Sequence, residues 1–277
     1  MISFVDTHAH LDGAEFDDDR DDVVRRAREA GARAIFIPAI DLPSVRSVMM
    51  ACSRYPGYAF PMVGLHPEEV KADWRDVLSR MKKLLLASLD GESGADGIPL
   101  QRPVAVGEVG LDFYWSREFD QEQLEAFEEQ VRWSVQTRLP LMIHCRKAQN
   151  ELVRILKRYE DDLPGGVFHC FTGNDIEAKE LLQFERFVLG IGGVLTFKKS
   201  HLPEVLPLVV PLSRIVLETD APYMAPVPQR GKRNESAYVA LVLQKIAECY
   251  HVSEEEVGLV TNENVARVFS VTLDALP

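Results

Sequence analysis

Imidazole and carboxylate groups are the commonest protein ligands for catalytic divalent ions, and this chain sets them down at recurring places. His8 and His10 stand in Asp6-Thr7-His8-Ala9-His10 and His66 in Gly64-Leu65-His66-Pro67. Glu108 follows Gly107, His144 and His169 each precede a cysteine, and Asp220 closes Glu218-Thr219-Asp220. Each lies just where a short apolar run ends. Residues two apart on extended backbone project to the same side, so His8 and His10 can reach one ion. Singly, none is decisive: a His-x-His pair is often polar surface, a lone histidine is often a core group, and an acid after a strand often caps a helix. Five of the seven histidines share the placement, however, and only His201 and His251 lie elsewhere. Jointly they read as a metal site. Six ligands (His8, His10, Glu108, His144, His169 and Asp220) exceed what one catalytic ion with an open position can use. They suit two divalent metal ions bridged by a carboxylate.

The elements that must position these groups are repeated βα units. Apolar runs rich in Val, Ile, Leu and Phe give eight expected strands: Phe4–Asp6, Ala32–Ile37, Tyr58–Gly64, Pro103–Gly107, Leu141–Ile143, Gly166–Phe168, Phe187–Gly190 and Arg214–Leu217. Between them, Val23, Val24, Ala27 and Ala30, and again Leu124, Phe127, Val131 and Val135, recur at helical spacing. The seventh connection, around His201 to Val210, carries Pro203 and Pro207 and has room for a short helix. Ser236–Tyr250 and Ser253–Phe269 supply closing helices. Eight strands with eight crossovers favour an α/β fold of the TIM (β/α)8 barrel type, a single domain over residues 1–277, and in a barrel the ends of the strands share one catalytic face.

Length and composition agree. At 277 residues, 46% hydrophobic and 27% charged, the chain is ordinary for a globular protein, and the longest polar interruption, Asp90 to Pro103, is short enough to be a loop. The first residues, Met1 to Asp6, have neither a basic segment nor a long apolar one, and no run of about 18 apolar residues follows. The expectation is a cytoplasmic protein with no membrane partner. Four cysteines without a CxxC pair exclude a Cys-based zinc module. By strand alternation Cys145 and Cys170 point away from the histidines they follow, as buried structural thiols. The acidic run Glu15–Asp22 is expected to solvate and cap the first helix.

The motifs Val5-Asp6-Thr7-His8-Ala9-His10-Leu11-Asp12, Gly64-Leu65-His66-Pro67, Gly107-Glu108-Val109-Gly110-Leu111-Asp112-Phe113, His144-Cys145-Arg146, His169-Cys170-Phe171-Thr172-Gly173 and Glu218-Thr219-Asp220-Ala221-Pro222-Tyr223 resemble the TatD deoxyribonuclease family. The resemblance runs to Thr261-Asn262-Glu263-Asn264. It implies a barrel phosphodiesterase that removes nucleotides from DNA, often from the 3′ end of single strands. It further implies that His8, His10 and Asp220 hold one metal and His144 and His169 the other, with Glu108 as the bridge in place of the carbamylated lysine of many relatives. Magnesium, manganese and zinc remain open as the ion. Two cations about 3.5–4 Å apart activate water and neutralise the phosphate and leaving oxygens. Asp220 can take the nucleophile's proton, and His66, without a ligand assignment, can contact the phosphate or donate to the leaving group.

A net charge of −12 excludes a broad electrostatic grip on duplex nucleic acid. Arg146 and Lys147, Lys198 and Lys199, and Arg230, Lys232 and Arg233 nevertheless follow strands five, seven and eight. Collectively they make a small basic rim that suits strand ends, with Arg146, Lys198, Arg230 and Arg233 as candidate substrate contacts. Phe113, Tyr114 and Trp115 after strand four and Tyr223 after strand eight lie in loops on the same face and can stack on bases. The competing function is the same two-metal site acting on another bond, a small-molecule amide or ester or the ester of a D-aminoacyl-tRNA.

Overall fold

The computed structural model describes residues 2–91 and 100–272. Residues 92–99, most of the polar interruption expected as a loop, lie outside the described residues, as do Met1 and 273–277. Among the described residues, parallel strands β1 (Phe4–Asp6), β2 (Ala32–Pro38), β3 (Ala59–Met62), β4 (Val106–Asp112), β5 (Leu141–Arg146), β6 (Gly166–Phe168), β7 (Phe187–Ile191) and β8 (Ile215–Leu217) alternate with helices. These are α1 (Arg20–Ala30), α2 (Leu42–Arg54), α3 (Trp74–Asp90), α4 (Asp120–Thr137), α5 (Gln149–Leu156), α6 (Asp175–Leu181) and α7 (Leu202–Val209). Then α8 (Val239–Tyr250) and α9 (Glu254–Phe269) close the chain. Strands pair in the orders β1-β2-β3 and β4-β5-β6-β7-β8. Single parallel bridges, Met62 to Ala105 and Ala9 to Ala221, join the two arcs. The Thr7 N–H donates to the Leu217 carbonyl (3.0 Å) and the Val104 N–H to the Pro61 carbonyl (2.9 Å) at these seams. The result is the expected (β/α)8 barrel.

Helix starts follow local chemistry. The Ser44 N–H donates to the Asp41 carboxylate (2.7 Å) in a reciprocal cap at α2, and Asn174 caps α6 in the same way. Asp21 and Asp22 stand in the first turn of α1 as the acidic run predicts, while the Asp19 side chain at its start makes no capping bond and is taken by Arg233 (2.7 Å) and Arg26 (3.4 Å). Pro203 falls in the first turn of α7, where its missing N–H costs nothing, and Pro207 removes one bond from this eight-residue helix.

Strand alternation builds the barrel interior in layers. Val5, Phe36, Met62, Met142, Val167, Val188 and Val216 point inward, and Val265 and Phe269 of α9 pack against them from the N-terminal ends of the strands. Two residues further along three of these strands come His144, His169 and Glu218, so the period of two lifts a polar layer directly above the apolar floor.

Strand four departs from expectation. The apolar run predicts Pro103–Gly107, yet β4 runs from Val106 to Asp112, with an irregularity of register between Val106 and Val109. Beyond it Gly110 pairs with His144 and Asp112 with Arg146. The sequence reading stopped the strand at its first acid, whereas Glu108 is a buried member of the ladder. Gly110 is obligatory there: its φ is +147° and a Cβ would lie 1.8 Å from the His144 carbonyl oxygen. Gly110→Ala should therefore destabilise the protein by about 2–4 kcal/mol in urea denaturation. Gly231→Ala, at φ +82° with no described atom within 4 Å, should cost about 1 kcal/mol.

Candidate metal centre

The six expected ligands converge at the mouth, and Glu108 is their common neighbour. Its Oε2 lies 3.2 Å from His8 Nε2 and 3.7 Å from His10 Nε2. Its Oε1 lies 3.0 Å from His169 Nε2 and 3.2 Å from His144 Nδ1. Asp220 Oδ1 sits 3.7 Å from His8 Nε2 and 3.6 Å from His10 Nε2. The two Nε2 atoms of His8 and His10 are 3.4 Å apart, and the rings of His8 and His169 stack at 4.0 Å. Donors about 2.1 Å from a tetrahedral ion stand roughly 3.4 Å apart, so these spacings fit metal ligation. Three groups each fall within a donor-to-donor distance of 4.8 Å: His8, His10 and Glu108; His8, His169 and Asp220; and His66, Glu108 and His144.

His66 thus joins the cluster, with Nε2 3.4 Å from Glu108 Oε1. Its Nδ1 accepts a hydrogen bond from the Glu68 N–H (3.2 Å). An imidazole that accepts at Nδ1 carries its proton on Nε2, so His66 presents a donor to the site rather than a lone pair. His144 shows the opposite arrangement. Asp112 Oδ2 meets its Nε2 at 2.9 Å, which fixes the ring with Nδ1 as the atom turned toward Glu108. Behind His169, Glu218 Oε1 faces Nδ1 at 3.4 Å and also accepts the Cys170 N–H.

The electrostatics of the mouth call for positive charge. Burial would raise Glu108, but the imidazoles of His8, His66 and His169 and the hydrogen bond from His144 outweigh it and hold the carboxyl well below its usual range. Burial likewise opposes ionisation of Asp220, and the His10 hydrogen bond overrides it. His169 and His144 are raised against the pull of burial, His169 by Glu108 and Glu218 and His144 by its bonds to Asp112 and Glu108. His8 goes the other way, lowered by burial and by His169, so ionised acids stand beside both proton-holding and proton-shedding imidazoles, a mixture that fits divalent cations.

The end of β8 is pinned by groups that sequence reasoning passed over. Asp6, fully buried, accepts from the Thr219 N–H (2.9 Å) and hydroxyl (2.7 Å). Burial lifts its carboxyl to about 7, against the lowering effect of its hydrogen bonds, including those from Thr219. Asp220 adopts φ +57°, its N–H bonded to the His8 carbonyl (2.9 Å), and Asn234 Nδ2 ties the Thr219 and Tyr223 carbonyls together. Asp112 and Glu218 were also missed. Strand parity would have found them, since Asp112 is four residues after Glu108 and Glu218 two before Asp220.

The expected basic contacts separate into two kinds. Arg146 and Arg230 are exposed and stack on Tyr114 (3.9 Å) and Phe197 (3.9 Å), and Lys198 is exposed. Arg233 instead pairs with Asp19 and bonds the Glu15 carbonyl. Cys145 and Cys170 are half-buried rather than buried. Burial pushes the Cys145 thiol up to about 12 and Cys170 well above its ordinary value, so both stay neutral and outside the ligand groups.

Fold and site together define a metal-dependent hydrolase of the α/β-barrel class. The profile of the TatD related DNase family matches residues 5–270. A Bacillus subtilis protein, the uncharacterized metal-dependent hydrolase YabD, is 33% identical over 266 residues, covering 96% of this chain and 98% of its own length. A Citrobacter rodentium protein named 3′-5′ ssDNA/RNA exonuclease TatD is 31% identical over 274 residues, covering 97% and 98%. The crystal structure of YjjV, a TatD homolog from Escherichia coli K12, superposes with a TM-score of 0.87 at 28% identity, covering 98% of this chain and all of that one. The chain belongs to the TatD related DNase family.

Because Asp112 orients His144, an Asp112→Ala variant should bind metal about 10–100-fold more weakly. Competition titration against a chromogenic chelator reads this directly.

Proposed function

We propose that this chain is a two-metal nuclease that shortens DNA from single-stranded or 3′ ends, acting as one barrel unit over its whole length. The observation that carries the reading is the Glu108 carboxylate, whose two oxygens face different imidazole sets, Oε2 toward His8 and His10 and Oε1 toward His144 and His169. That is the arrangement a bridging ligand requires. The relatives named as exonucleases match this chain end to end, which supports a phosphodiester as the bond cleaved.

His8, His10 and Asp220 would hold one ion, and His144 and His169 the other. Bound there, the ions would supply a nucleophilic hydroxide near neutral pH and offset charge on the phosphate. The imidazole-rich donor set favours zinc or manganese over magnesium. The residues of the chain do the rest. Asp220, ionised and 14% exposed at its side chain, stands where it can take a proton from the attacking water. His66 directs its Nε2–H into the site and is placed to protonate the departing oxygen. Arg146, Lys198 and Arg230 carry charge unopposed by any carboxylate among the described residues and would meet flanking phosphates, whereas Arg233 is spent on Asp19. No helix among the described residues is long and apolar enough to cross a membrane, in keeping with the cytoplasmic location we propose.

Digestion of 5′-labelled single-stranded and duplex DNA by metal-analysed protein tests the reading. Glu108→Ala should lower the rate by roughly a thousandfold or more, because one substitution breaks both metal sites. Equal product from wild type and variant would sink the mechanism. His66→Ala should lower kcat by about 10²-fold, the usual worth of a positioned acid, and an unchanged kcat would remove His66 from the proton transfer.

A further inference from the structure

We infer that the exposed turn Tyr114–Trp115, backed by Arg146, is a nucleobase-stacking subsite held in register with the metal centre by Asp112. The inference rests on the nuclease reading above and adds to it the residues that would take the base next to the scissile phosphate.

Two large aromatic rings stand in water here: Tyr114 is 52% and Trp115 63% exposed, with centroids 4.9 Å apart and edge to face. The Arg146 guanidinium lies 3.9 Å from the Tyr114 centroid and 5.0 Å from that of Trp115, and no carboxylate among the described residues claims it. A planar cation stacked on aromatic rings keeps its N–H edge free for phosphate, while the exposed ring faces remain open to a base.

The backbone beneath the rings is fixed. Asp112 Oδ1 accepts the Tyr114 N–H (2.8 Å) and the Trp115 N–H (3.3 Å). The other oxygen of the same carboxylate meets His144 Nε2 at 2.9 Å. Gln123 of α4 holds the Asp112 backbone in turn, accepting its N–H (2.9 Å) and donating to its carbonyl (3.1 Å). One carboxylate therefore sets the distance between a metal-facing imidazole and the aromatic turn. Within a duplex both faces of a base are covered by its neighbours, so such a platform takes an unpaired base from a single strand or a frayed end.

The test compares metal-loaded wild type with Trp115→Ala and Tyr114→Ala on a short oligothymidylate and on an abasic oligonucleotide with the same number of phosphates. Wild type should show a KM about tenfold lower for the base-bearing strand, and the variants should lose most of that difference. Trp74 and Trp133 are buried, so stopped-flow tryptophan emission on mixing reports Trp115, and quenching by the base-bearing strand alone is the expected result. Asp112→Ala, releasing both the turn and His144, should lower kcat as well as lose the discrimination. Equal KM for both oligonucleotides in wild type, or discrimination preserved in both aromatic variants, overturns the subsite while leaving the nuclease reading intact. Failure of wild type to cleave either strand overturns the nuclease reading, and the subsite falls with it. Discrimination retained by Asp112→Ala removes Asp112 from positioning.

Discussion

A carboxylate with 4% of its side chain exposed sits at the centre of this molecule, and the barrel mouth is organised around keeping it charged. Burying an unpaired carboxylate costs several kcal/mol. Glu108 escapes that cost because imidazoles reach it from the segments after β1, β3 and β6 and from β5. No local segment could supply them. The ring must close before the charge is met, so the site and the closure of the barrel stabilise each other. The same sharing leaves one oxygen for each half of the cluster, the division that the proposed bridging role needs.

Behind the histidines stands a second tier of acids. Asp112 sets the tautomer of His144, Glu218 backs His169, and Asp6 ties β1 to β8 through Thr219. An imidazole whose far nitrogen is engaged cannot rotate or change tautomer freely, so Asp112 fixes which nitrogen of His144 is turned to Glu108. His66 shows how much turns on that detail. Its far nitrogen accepts a backbone N–H, and this one bond separates it from the ligands and makes it a donor.

Much of this was legible in the chain itself. β1 and β6 have the bounds that the apolar runs gave, and the helical stripes of α1 and α4 are buried as spaced, with Val23, Val24, Ala27, Phe127 and Val131 against the sheet. The six candidate ligands were visible because each stands where an apolar run ends. β4 departs from its apolar run for the related reason that an acid ordinarily ends a strand, whereas here burial and pairing continue through Glu108 to Asp112. Asp112 stayed hidden because strand parity can be applied only once the true end of β4 is known, whereas Asp6 and Glu218 stand at or beside strand ends that the apolar runs gave. Arg233 could not be separated from Arg146 and Arg230 either. The partner that neutralises it, Asp19, lies 214 residues away in the chain.

The floor of the barrel carries a last consequence. Its interior is filled by the layer from Val5 to Val216 and stopped from below by Phe269, whose ring packs 4.8 Å from that of Phe36. Among the described residues the barrel has an entrance and no exit. A polymer cannot be threaded through it as through a ring-shaped processive enzyme, so a strand can meet the site only from the mouth.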